Sequence, residues 1–231
     1  MSEVIGKRKK NRSDKFDKLI GPTDPKIDAL ARERLVAARI GLLLRHSFFG
    51  NLATRMKLVN ADEWCATAAT DSVKFYYNSR FIMMLKPKEV EFLVGHEVLH
   101  VVYDHMGRRG TRDPQLWNIA DDYCVNADLK KHNVGQFITS VPCLYDRKYE
   151  GMTGEAVYDD LYDKAEKIDL DSLIDQMLDD HMDGDDDGSG DSEGDGEGDK
   201  KGKRPRMSSE EREQARQEMK QAILQAAQSA E

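Results

Sequence analysis

Cysteine is scarce in this sequence, and the few cysteines do not pair. Cys65, Cys124 and Cys143 are the three among 231 residues, an odd number without paired spacing. This argues against a disulfide scaffold and for a reducing, cytoplasmic compartment. No run of 18 apolar residues occurs, so no transmembrane helix is expected. The N-terminus is charged rather than signal-like, which argues against secretion. Nucleic-acid recognition is poorly supplied. The basic cluster Lys7, Arg8, Lys9, Lys10 and Arg12 is short, lacks interleaved aromatics and has no recognition motif beside it. It reads as part of a solvated tail over residues 1–24.

The net charge of −8 misleads about the folded part. Residues Asp183–Asp199 hold nine acidic residues, six glycines and two serines, and without those nine charges the balance is +1. Such a tract cannot bury a core, so 183–206 reads as a disordered acidic linker. Asp183, Asp185, Asp187 and Gly188 match positions 1, 3, 5 and 6 of a calcium loop. Gly194 at position 12 and Gly190 at position 8 break that pattern, which leaves the linker reading in place. Residues 25–182 then form one domain, and 207–231 a C-terminal helix rich in Glu, Gln, Arg and Ala. That helix is marginal alone in water and is expected to dock on a partner protein or a further domain.

Within the domain, a helix is expected over Pro25–His46, with a turn at Gly50-Asn51. Strands are expected near Leu52–Val59, Cys65–Ala69 and Val73–Tyr77. A helix over Pro87–Met106 opens on a proline suited to the first turn and stops at Gly107. A second helix covers Leu116–Lys130. Thr153 caps another running to about Glu166, and an amphipathic piece covers Leu170–His181.

The chemistry sits in the helix over Pro87–Met106. His96-Glu97-Val98-Leu99-His100 places two imidazoles four residues apart, about one turn, on one helix face. Two neutral imidazoles can hold Zn²⁺, and Glu97 stands where it can take a proton from water at the open position of the metal. Buried charge is costly without a partner, and a metal would satisfy all three residues. A catalytic zinc usually takes a third protein ligand, for which Asp122, His105, Asp121 and Cys124 are the candidates. His105 points away from His96 if the helix continues, and then serves to cap its C-terminus. On the Leu116–Lys130 helix, Asp122 and Asn126 share one edge of the apolar face, whereas Asp121 falls with Asp128 on the solvent side. Asp122 is therefore the favoured third ligand, and Asn126 the residue that orients another ligand. Iron, cobalt or manganese would also fit two His and one Asp.

The run Ala68-Ala69-Thr70-Asp71, Tyr77-Asn78, Phe81, Gly95 to His100, His105, Arg108, Trp117-Asn-Ile-Ala120, Asp122 and Asn126 resembles the metallopeptidase domain found beside von Willebrand A-like domains in bacteria and phages. The resemblance covers roughly residues 30–165. It implies an α+β, zincin-like core: a small mixed sheet, the active-site helix, and a following helix that brings the third ligand. It also implies a metal-dependent hydrolase of protein or peptide substrates. Longer members continue into a von Willebrand A-like domain after such a linker and helix. In zincins the substrate strand adds to an edge strand beside the active helix, and Val73–Tyr77 is the candidate for that edge. The oxyanion donor is sought among Tyr103, Tyr123, Tyr145 and the arginines of residues 108–112. The competing expectation is a non-catalytic interaction protein that acts through its charged tails and C-terminal helix.

Overall fold

Asp24 sets the start of the first long helix: its side chain accepts from the backbone N–H groups of Lys26 and Ile27, and Pro25 fills the first helical position. The computed structural model describes residues 14–164, 169–174, 176–177 and 207–230. The basic cluster of Lys7–Arg12, the acidic tract and its calcium-like pattern therefore lie outside the described residues, as does the end of the Leu170–His181 segment.

A short turn, α1 (Asp14–Asp17), precedes α2 (Pro25–Arg45) and α3 (Ser47–Arg55). Three strands follow, β1 (Lys57–Asn60), β2 (Ala68–Thr70) and β3 (Lys74–Tyr77). After these come α4 (Ser79–Met84), α5 (Pro87–Val102), the single turn α6 (His105–Arg108) and α7 (Pro114–Lys131). The remainder is a 3₁₀ turn at Arg147–Tyr149, α8 (Gly154–Tyr162), α9 (Leu170–Ile174) and α10 (Ser209–Gln228). The fold is α+β, mostly helical, around a small mixed sheet.

The sheet order is β1-β3-β2. β1 runs parallel to β3 with Leu58 opposite Phe75, and β2 runs antiparallel to β3 with Ala69 opposite Tyr76. The Val73–Tyr77 segment is therefore the central strand and not an edge. Both of its backbone sides are already paired, so no substrate strand can add to it. β2 is the strand packed against α5. The expected strand at Leu52–Val59 is also corrected. Its first half is the end of α3, and only Lys57–Asn60 is extended. Gly50-Asn51 lies inside α3 rather than in a turn. A Cβ on Gly50 would stand 2.2 Å from the Leu43 Cα, so glycine there reflects the close crossing of α2 and α3.

Two apolar clusters flank the candidate site. The larger joins α2, α3, the sheet, α5 and α10, with Leu35, Leu42, Phe75, Phe92, Val94 and Met219 among its members. The smaller joins α7 to the 3₁₀ turn and α8 through Trp117, Ile119, Tyr123, Leu144, Tyr149 and Val157. α5 and α7 pack on each other where the clusters meet. α10 docks within the chain, on α3 and α5, through Ala215, Met219, Ala222 and Ala226. No helix among the described residues is long and apolar enough to cross a membrane.

Candidate metal centre

Pro87 opens α5 at the position where a missing N–H costs nothing, and Glu89 closes the first turn by accepting from the backbone N–H of Lys86 at 2.9 Å. Glu89 also accepts from the N–H of Thr139 at 2.8 Å and from the hydroxyls of Thr139 and Ser140. Burial pushes this carboxyl up, but the hydrogen bonds from Ser140, Lys86 and Thr139 outweigh it and bring it down to about 2. The helix thus anchored carries His96, Glu97 and His100 into the interior, where the first two have no exposed surface and His100 retains 6%.

α7 is anchored likewise. Asp113 caps it by accepting from Leu116 N–H at 2.9 Å, and Pro114 takes the first position. One and a half turns of α7 carry Asp121, Asp122 and Asn126, all fully buried, and bring the latter two against His96 and His100 of α5. His96 Nε2 and His100 Nε2 lie 3.0 Å apart. Asp122 Oδ1 lies 3.4 Å from the latter and 3.6 Å from the former. Among the described residues these three form the one group whose donor atoms converge closely enough to hold a metal ion. The fit is quantitative. Ligand bonds of about 2.0–2.1 Å in a tetrahedron place neighbouring donors about 3.3 Å apart, and the three observed edges bracket that value. Two neutral nitrogens and one carboxylate oxygen are also a donor set that zinc accepts.

His96 is held from behind. Asn126 Oδ1 accepts from its Nδ1–H at 2.9 Å, while Asn126 Nδ2 donates to the Leu144 carbonyl at 2.9 Å. The amide orientation follows from that second bond, because only the NH₂ end can donate. The carbonyl oxygen then faces the imidazole, the proton sits on Nδ1, and Nε2 is left to face the other donors.

A family described as "Putative metallopeptidase domain" matches residues 31–231. The chain belongs to that family. No curated protein and no solved structure matches the chain. The match takes in the buried His96–His100–Asp122 group and both helices that build it, as well as α10.

The remaining expected residues of this metallopeptidase-family chain sort by contact. Cys124 turns away, its thiol donating to the Met152 carbonyl at 3.2 Å, and burial pushes its pKa up to about 12, so it stays a thiol. Asp121 is not on a solvent face. It is fully buried, because α8 covers the side of α7 that sequence phase assigned to water. His105 does not continue α5. α5 ends at Val102, and Asp104 adopts left-handed backbone with φ 53°. The chain turns back and sets His105 Nδ1 2.9 Å from His100 Nδ1. Helix phase misplaced His105 because it assumed an unbroken helix. Of the candidate oxyanion donors, Tyr103 donates to Asp128 and Tyr145 to Glu150, each at 2.6 Å. Arg108 is engaged by Glu155, and Arg112 by the Arg108 and Arg109 carbonyls. Sequence reasoning missed Glu89 and Arg216. Arg216 of α10 grips both carboxylate oxygens of Asp104, with Nε at 2.7 and 2.9 Å. A cavity of about 80 Å³ lies between α10 and the end of α5, lined by His100, Asp104, Arg216, Met219 and Ile223.

Proposed function

We propose that this chain is a zinc-dependent, zincin-like peptidase of the HExxH type, with His96, His100 and Asp122 as metal ligands and Glu97 as general base. The observation that carries the reading is the buried triangle of Nε2, Nε2 and Oδ1, whose edges suit a tetrahedral ion. A zinc ion held by these residues supplies Lewis acidity, which lowers the pKa of a water toward neutrality and polarises a carbonyl. Glu97 takes the proton of the attacking water on its carboxylate and returns it to the amine nitrogen of the leaving fragment. Its burial beside His96 keeps that carboxylate from bulk water, which strengthens its interaction with the reacting atoms. Asn126 fixes the ring of His96, so that no reorientation is needed during the reaction. His100 borders the cavity under α10, which supports an approach to the site from that side.

The test is hydrolysis of an unfolded protein substrate by the zinc-loaded chain, with products read by mass spectrometry. Glu97→Gln should keep its zinc and lose about 10²–10⁴-fold in rate, the usual contribution of a positioned base. Full zinc loading with no Glu97-dependent cleavage of any substrate would instead support the non-catalytic interaction protein.

A further inference from the structure

Resting on the metal-centre reading, we infer that His105 and Asp121 form a two-residue relay that holds His100 in its ligating tautomer. Neither is a ligand, and neither touches the reacting atoms. Both are positioning residues.

The argument starts at the two nitrogens of His100. Its Nε2 faces His96 Nε2 and Asp122 Oδ1, at 3.0 and 3.4 Å. A neutral imidazole can offer a lone pair there only if its proton is on Nδ1. That Nδ1 lies 2.9 Å from His105 Nδ1. One nitrogen of this pair must donate and the other accept, so His105 accepts on Nδ1 and carries its own proton on Nε2. His105 Nε2 lies 3.3 Å from Asp121 Oδ1. His105 receives from His100, its own Nε2 faces the Asp121 carboxylate across 3.3 Å, and His100 is left with its lone pair at the metal side.

The surroundings hold this line in place. His105 retains 3% exposure and Asp121 none. The left-handed Asp104 makes the turn that returns His105 to the site. Trp117 on α7 donates its indole N–H to the His105 carbonyl at 3.0 Å. Gly154 opens α8 directly behind Asp121, where a Cβ would stand 2.3 Å from Oδ1. The two imidazoles are thus braced by different devices, His96 by the Asn126 amide of α7 and His100 by the imidazole of α6 backed by the Asp121 carboxylate of α7.

The experiment measures zinc affinity of the full chain by chelator competition, together with the visible spectrum of the cobalt(II)-loaded protein. Unfolding of each metal-free variant by urea serves as the control. His105→Ala should weaken zinc binding about 10–100-fold and shift the cobalt bands. His105→Asn keeps an acceptor atom near the position of Nδ1 and should restore most of the affinity and the wild-type spectrum. A merely structural role would alter the urea midpoint without that selective rescue. Asp121→Asn, which replaces one of the two carboxylate oxygens at the end of the line by an NH₂ group, should weaken zinc binding about tenfold, and it decides the matter if His105→Ala does not fold. Wild-type affinity and cobalt spectrum in either His105→Ala or Asp121→Asn would overturn the relay alone. A wild-type chain that binds neither metal would overturn the metal-centre reading, and the relay with it.

Discussion

Asn126 meets His96 through its carbonyl oxygen and Leu144 through its amide, so one buried side chain joins His96 on α5 to the segment after α7. Asn126→Ala should therefore cost about 10–100-fold in zinc affinity, and about 1–3 kcal/mol in stability because the Leu144 carbonyl is left without that donor. Chelator competition and urea unfolding measure the two effects separately; an unchanged affinity would contradict the role given to Asn126. Gly154→Ala is the second residue-scale test. The new methyl would press on the Asp121 carboxylate, and a loss of about 1–3 kcal/mol is expected in the same unfolding assay. At this scale the sequence was informative wherever both partners lay on regular helix. The four-residue spacing of His96 and His100 and the shared edge of Asp122 and Asn126 are consequences of helical pitch. Asp121 and His105 were misread because their surroundings depend on α8 and on a chain reversal at Asp104, which no helical wheel contains.

The helix that carries His96 and His100 owes its fixed start to Glu89, whose carboxylate joins the first turn of α5 to Thr139 and Ser140. Its folded value of about 2 lies below the ordinary 4.5. A depressed carboxylate contributes stability in full above its unfolded pKa and loses it as pH falls through the folded one. Glu89→Gln should thus destabilise the protein at pH 7, and the gap to wild type should close between about pH 4.5 and 2. Urea midpoints at pH 7 and at pH 3 check this, and a gap that stays constant would contradict it. The elements themselves were partly legible. Proline at the first turns of α2 and α5, Thr153 before α8 and the β-branched, aromatic β3 all carry local signals. The strand order does not: whether Val73–Tyr77 lies at an edge or in the centre depends on long-range pairing. The apolar residues of 52–59 fit a helix end as well as a strand.

On the scale of the whole molecule, α10 returns to the domain that carries the site. Its buried face of Ala215, Met219, Ala222 and Ala226 recurs every three or four residues, and Arg216 ties it to Asp104 beside the relay. From the sequence, this helix is expected to dock on a partner protein or a further domain; the surface it packs on here is assembled from α3 and α5, more than a hundred residues earlier, which no local pattern in the helix indicates. Met219→Asp should destabilise the fold by about 2–3 kcal/mol, since it buries a charge without a partner, and an unchanged urea midpoint would mean that α10 adds nothing to stability. The arrangement has one consequence above all others: two imidazoles of α5 and one carboxylate of α7 converge closely enough to hold a single ion. Elemental mass spectrometry of the purified wild-type chain, His96→Ala and Asp122→Ala tests it most directly. The account predicts about one zinc per wild-type chain and a sharp loss in both folded variants. A wild-type chain without zinc after zinc has been supplied, or an Asp122→Ala chain that keeps its full zinc, would contradict it.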